Sequence, residues 1–479
     1  MKKITGYFAG TCFAAAMGLL AQGPVAAQGL QLPAPKAQDL KPPAPDTDAA
    51  PPEKSYLIPA AEIAGFDFLL NRHNKRYSGI SDYDVSFASF RRNLRRSWGV
   101  DDDAFHINQL GHPYQGSMYH GFARSAGLNF WESAGYTFAG SIGWELAGET
   151  TRPSTNDQVA SGVGGAFLGE ALFRMASLIL EHGDGIPSVM RETAAALISP
   201  STGFNRLAYG KRFDSIFASR NPAYYGRLQV GFMGTAQNRG GLSSLIERNE
   251  AQANFAIEYG LPGKDGYEYR RPFDYFTFEA NGSSANAFES VLTRGLLYGR
   301  QYQAGKDYRG IWGLYGSYDY ISPQTFRISS TALSVGTTGQ WRASEKIVVQ
   351  GTAMAGLGYA AVGSVNGGAD ERSYHYGVAP QAVLALRMIH GDRVSLDVTG
   401  REYFVTGAGN ANGGHDNLTR VDVGLTWRLR KQHAITAKYL WTRRNAAFAG
   451  QDNLNQTRGT VGIFYTWLGH GGFGKVDWN

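Results

Sequence analysis

The sequence predicts an α+β protein, an antiparallel transmembrane β-barrel of about twelve strands preceded by a helical domain. Three observations predict it. The last quarter of the chain alternates apolar and polar residues, as in Val421-Asp422-Val423-Gly424-Leu425-Thr426-Trp427-Arg428-Leu429. That period of two lets one face of a strand meet lipid and the other a polar interior. Short and long connections between such segments alternate along the chain. The N-terminus has the layout of an export signal: Lys2 and Lys3, an apolar Ala-rich stretch to Leu20, then Val25-Ala26-Ala27 before a cleavage point near Gln28.

Residues 1–27 are accordingly read as a signal peptide, too short and Gly-interrupted for a membrane-spanning helix. Cys12 is the chain's only cysteine and falls inside it, so disulfides and Cys-ligated zinc or iron–sulfur sites are excluded from the exported part. Residues 28–58 hold seven prolines among Ala, Gln and Asp and read as an extended linker without a core. Residues 59–215 read as a helical domain. A first helix is expected over 60–74, a second region over 117–149 broken near Gly127 or Gly135, and a third helix over 155–182. Ser154 suits the N-cap of the third, with Asp157 three positions on to answer the backbone. Gly162, Gly165 and Gly169 weaken that helix, which points to a backbone packed closely against a neighbour.

Residues 225–468 read as an outer-membrane barrel. Its strands are expected at 228–235, 254–259, 274–281, 290–301, 308–320, 326–341, 346–358, 374–389, 393–406, 417–429, 433–442 and 457–468. The first two fall short of the 9–11 residues a tilted spanning strand needs. Connections near Ala343, Gly391 and Lys431 are tight, whereas 359–373, 407–416 and 443–456 are long and rich in Gly and Asn, so the tight end is assigned to the periplasm. Asp397, Arg401, Asp422, Arg428, Lys438 and Arg458 take inward positions. Residues 469–479 follow as a C-terminal tail.

Composition agrees with this class. There are 62 Gly, 26 Tyr, 26 Phe and 9 Trp, with a negative mean hydropathy, as expected where small residues and aromatic girdles replace long apolar runs. Losing Lys2 and Lys3 lowers the net charge from +6 to +4. The basic residues are spread out rather than gathered in a stripe, so no nucleic-acid partner is expected. No Walker A or dinucleotide fingerprint is present, and no His-Glu-x-x-His spacing sets two ligands on one helix face; no cofactor and no metal are expected.

Thr460 to Trp467 resembles the C-terminal signal read by barrel-assembly machinery: polar, any, Gly, two any, apolar, any, aromatic. Twelve residues follow the aromatic. In the helical domain, Asn108-Gln109-Leu110-Gly111-His112-Pro113-Tyr114-Gln115-Gly116 is joined by Ala123-Arg124, Trp144-Glu145, Pro153-Ser154 to Asp157, and Gly169-Glu170 with Arg174. Together these resemble a bacterial domain-of-unknown-function family, number 3943. The resemblance covers roughly residues 60–210 and implies an envelope protein without implying a chemistry.

His112, Arg124, Glu145, Asp157, Glu170 and Arg174 are the candidate binding residues. Glu145 or Glu170, raised in pKa by burial, would suit general acid–base work. The plainer reading is that these charges pair with Arg124 and Arg174 inside a Gly- and Ala-rich helix packing. Ser154 lacks the Gly-x-Ser-x-Gly elbow of an exposed nucleophile. No nucleophile, base and orienting group can be assembled from the strands. The expectation is therefore a binding, transport or envelope-organising barrel with a periplasmic or lumen-inserted helical module, the alternative being an outer-membrane enzyme acting on lipid or lipopolysaccharide. Expected partners are outer-membrane lipid, the barrel-assembly machinery and a periplasmic protein.

Overall fold

The computed structural model describes residues 54–182, 186–240, 249–323, 326–364, 372–407, 413–448, 453–469 and 471–478. The expected signal peptide, Cys12 and nearly all of the linker lie outside the described residues. The first helix, α1 (Leu57–Ser78), ends on Gly79, whose φ of 68° relieves the last turn. A short α2 (Phe87–Asn93) starts from a reciprocal Ser86/Ser89 capping box. A π segment, Ile107–Gly111, leads directly into α3 (His112–Ser125). The chain then turns at Gly127 (φ 88°) and re-enters helix at α4 (Phe130–Ala147) through an Asn129/Glu132 capping box. The break therefore falls at Gly127, while Gly135 sits within α4. The long α5 (Thr155–Glu181) contains a second π segment, Gln158–Gly164. Helices α6 (Val189–Ile198) and α7 (Pro200–Tyr209) lead toward the barrel.

Twelve antiparallel strands close into one barrel, β1 pairing with both β2 and β12. They are β1 (Tyr224–Gly240), β2 (Asn249–Tyr259), β3 (Phe276–Ser283), β4 (Ser290–Ala304), β5 (Tyr308–Ile321), β6 (Phe326–Arg342), β7 (Ile347–Ser364), β8 (Tyr374–His390), β9 (Val394–Thr406), β10 (His415–Arg430), β11 (His433–Ala447) and β12 (Leu454–Leu468). Each lies where the alternation places one, and most run longer. β7 and β11 extend into segments read as loops, because ladder pairing with a neighbour satisfies the backbone beyond the bilayer as well as within it. The first two strands, which seemed too short, are complete for the same reason.

Side-chain parity fixes which face is which. On β10 to β12, Leu425, Trp427, Ile435, Val461 and Ile463 are exposed outward. All six predicted inward charges point into the lumen, as in the Arg401–Asp422 pair at 3.1 Å, Arg428 over Phe473 and Lys438 over Phe464.

The helical module is placed by the same parity. Ile257 and Tyr259 of β2, Phe276, Phe278 and Ala280 of β3, and Tyr318 and Tyr320 of β5 share one buried cluster with Phe105, Phe130, Phe167, Leu168 and Leu172 of the module. Their sequence neighbours Glu258, Glu279 and Asp319 line the internal cavity. The module therefore packs on the outside of the barrel wall. Of the two placements expected, periplasmic or lumen-inserted, the second is corrected: the outward faces of β2 to β5 carry aromatic side chains that helices cover, while the inward faces are occupied by charges. α5 runs along the wall, from Gly164 beside Thr331 and Tyr318 toward the long-loop end to Glu181, which accepts from Ser219 N near the start of β1.

What enters the lumen is the C-terminal tail. At the tight-turn end Phe473 and Val476 pack with Tyr225, Leu261, Val348, Ile389, Ala434 and Leu468. Inward Gln350 donates to Gly474 O at 2.6 Å, Gln340 Oε1 accepts from Val476 N at 3.0 Å, and Arg342 donates to Trp478 O at 2.9 Å.

Candidate functional site

The six candidate residues separate into two clusters, both in the module. The first joins α3, α5 and the β2–β3 loop. Gly165 and Gly169 allow it: a Cβ on Gly165 would lie 2.6 Å from Gly116 Cα, and one on Gly169 2.7 Å from His120 Cβ. At that separation Glu170, fully buried, accepts from Arg124 Nε at 2.7 Å and Arg174 Nε at 2.8 Å, and sits 3.0 Å from His120 Nε2. Arg174 also donates to Asp274 at 2.9 Å and to Pro272 O at 2.6 Å on the barrel side. Arg124, Arg174 and Arg271 all lie over the ring of Phe217, at 4.9, 4.5 and 4.4 Å. Glu170 and Asp274 answer the two buried guanidiniums of Arg124 and Arg174 with hydrogen bonds, the condition under which buried charge is tolerated, while the third guanidinium, Arg271, is partly exposed. This cluster is a clamp between module and barrel.

The second cluster lies toward the long-loop end, where the two π segments meet. A π bulge rotates side chains off the α-helical register and frequently marks a functional position. Here the bulges bring His112 Nδ1 to 3.2 Å from Ser161 Oγ, and His112 Nε2 to 3.9 Å from Asp157 Oδ2. Ser154 is the N-cap: its Oγ accepts from Asp157 N at 3.2 Å. The carboxylate that answers Ser154 N, however, is Glu145 at 2.7 Å rather than Asp157. Asp157 instead accepts from Asn156 Nδ2 at 3.0 Å. Asn108 bridges Asp101 and the Tyr374 hydroxyl, both at 2.9 Å. Gln109 and Asn156 each donate to the Tyr376 hydroxyl at 2.8 Å. In the loops beside this cluster, burial pushes the Glu149 carboxyl up to about 7 and that of Asp103 to about 6.

Ser161, His112 and Asp157 thus lie in a line, but Ser161 is only 2 % exposed and its carbonyl is pressed against Gly116. A buried hydroxyl in a helix–helix seam offers no approach to a lipid ester. Among the described residues no group of three or more His, Cys, Asp or Glu is placed to hold a metal ion.

A third polar region is the lumen itself. Between its two ends lies a cavity of about 200 Å³ lined by Arg227, Glu258, Glu279, Arg387, Asp397, Arg401 and others. Arg387 spans it, 2.6 Å from both Asp397 and Glu258. Toward the long loops an apolar layer of Leu292, Ile321, Phe326, Ile328, Val362, Tyr403, Val405 and Leu418 narrows the passage. Sequence reasoning missed Asp274 and the two tyrosines of β8, which come from distant parts of the chain. It also missed the tail, whose signal was Phe473, Val476 and Trp478 spaced through a segment otherwise rich in Gly.

Residues 97–201 match the family model described as Domain of unknown function (DUF3943), inside the region whose motifs resemble it. No curated protein matches the chain. Among solved structures, the chain is similar to the NanC porin (8% identity, TM-score 0.25, covering 50% of this chain and 98% of that one). It is similar also to the outer membrane channel DcaP of Acinetobacter baumannii (8%, 0.24, 51% and 96%) and to the Pseudomonas putida toluene transporter TodX (9%, 0.22, 52% and 90%). Likeness at that level carries no argument about function.

Proposed function

We propose that the protein is an exported outer-membrane barrel that admits a small polar solute to its charged central chamber, and that its own C-terminal segment is the inner gate. The observation that supports this is the tail seated inside the tight-turn mouth on Gln340, Gln350 and Arg342. Phe473 sits there at φ 52°, a left-handed backbone conformation that disfavours a side chain by roughly 1–2 kcal/mol. The segment is held by its contacts rather than by its own preference, which suits a part that leaves. The mixed charges above it favour a solute that exchanges hydrogen bonds with both signs over an apolar one. Biogenesis through the assembly machinery, reading β12, accords with the alternation of Thr460 to Trp467.

Planar-bilayer recording tests the gate. Full-length protein is expected to stay closed, while a variant lacking residues 471–479, and separately Gln340→Ala/Gln350→Ala, should conduct. Identical closed behaviour in all three would reject the gate.

A further inference from the structure

The helical module covers a stretch of barrel wall that lipid would otherwise cover, and it presents its own apolar surface in exchange. On α4 the outward residues are Trp131, Gly135, Phe138, Ala139 and Gly143, all exposed and none charged. From Trp131 to Leu146 this band spans about 22 Å at 1.5 Å per residue, close to the roughly 25 Å apolar height of a membrane barrel. Its lower end is continuous with the barrel surface: Trp131 stacks on the exposed Tyr298 of β4, ring centroids 5.5 Å apart. Its upper end is tied to the region beside Tyr376: Glu145 accepts from Ser154 N, Ser154 Oγ donates to Asn156, and Asn156 donates to the Tyr376 hydroxyl.

Helix α1 repeats the pattern. Leu57, Ala61, Ala64 and Phe68 are exposed along one stripe, and the stripe then changes to Arg72 and Lys75. Arg76, Arg91, Arg92, Arg95 and Arg96 are exposed at the same end, which Asn93 ties to Glu149 O at 3.0 Å and Asn71 to Gly148 O at 2.8 Å. At the opposite end Lys54 pairs with Glu132 at 2.9 Å. Charges thus bracket an apolar zone at both ends, as they do around a bilayer core.

We propose that the module lies within the same bilayer as the barrel, with the exposed faces of α1 and α4 in hydrocarbon and the arginine-rich end at the anionic headgroups. The proposal rests on the outer-membrane reading of the barrel. Single nitroxide labels at Phe138→Cys and Ala139→Cys on α4, Phe68→Cys on α1, Leu333→Cys on the barrel belt and Arg95→Cys at the basic end, in proteoliposomes, separate the two claims. Collision with oxygen and with a water-soluble nickel chelate is measured at each.

Phe138, Ala139 and Phe68 should match Leu333, favouring oxygen, while Arg95 favours nickel. If Leu333 favours oxygen and the three helix positions favour nickel, the module stands in water and the proposal is overturned while the barrel reading survives. If Leu333 itself favours nickel, both fall. All five positions are exposed, and the two adjacent α4 sites guard against one label disturbing the fold.

Discussion

Glu170 shows how a single residue's role follows from its neighbours. Its charge is balanced by Arg124 and Arg174 at hydrogen-bond distance with no exposed surface, so Glu170→Gln leaves two buried cations short of a partner. Breaking such a set costs about 3–5 kcal/mol, and the variant should lose folded, heat-modifiable protein in membranes. A fully folded but inactive Glu170→Gln protein would instead assign Glu170 to chemistry. Gly165→Leu should also lose folded protein, by about 1–3 kcal/mol or more, since its Cβ meets Gly116. Gly135→Leu is the control: nothing lies within 4 Å of its Cβ, so denaturant midpoints should be unchanged or raised. Arg124 lies on another helix, and only the pairing of Glu170 with Arg174 was legible from spacing, because residues four apart on a helix share a face. Asp274, 100 residues away on a barrel loop, carried no such local sign.

At the scale of elements, strands were legible and the tail was not. An alternation of period two persists whatever a strand packs against, so each of the twelve announced itself. The tail is irregular, its Phe473, Val476 and Trp478 follow no period, and only tertiary contact gives them meaning. The N-cap of α5 was read correctly in part: Ser154 caps the helix, but the answering carboxylate comes from α4, an element the local pattern does not contain. Ser154→Ala should cost about 1 kcal/mol, seen as a lower urea midpoint. The α4–α5 turn also gives a pH signature. Glu149 is raised by burial to about 7 in the folded protein, above its unfolded value, so its contribution to stability is full below the unfolded value and is lost as pH rises through about 7. Thermal midpoints in detergent should therefore fall between pH 5.5 and 8, and Glu149→Gln should flatten that slope.

For the whole molecule, the sequence revealed a helical module and a barrel but not which face of the barrel the module takes. An amphipathic helix shows an apolar stripe equally well against a lumen, a wall or lipid, and the outward aromatics of β2 to β5 look like any lipid-facing row. Only the parity of contacts with Tyr318 and Tyr320, set against Asp319, decides it. The result is a barrel filled from below by its own C-terminus and flanked by helices that take the place of lipid. Cysteine cross-linking tests that arrangement most directly, since Cys12 is the chain's single cysteine and falls in the expected leader. A Cβ on Gly164 would lie 2.8 Å from Thr331 Oγ1 on the outer wall, within the spacing a disulfide spans. The Gly164→Cys/Thr331→Cys pair should oxidise to a faster-migrating species in native membranes, and Gly164→Cys paired with the inward Ala332→Cys should not; a bond at Ala332 with none at Thr331 would place the module inside the lumen and contradict the account.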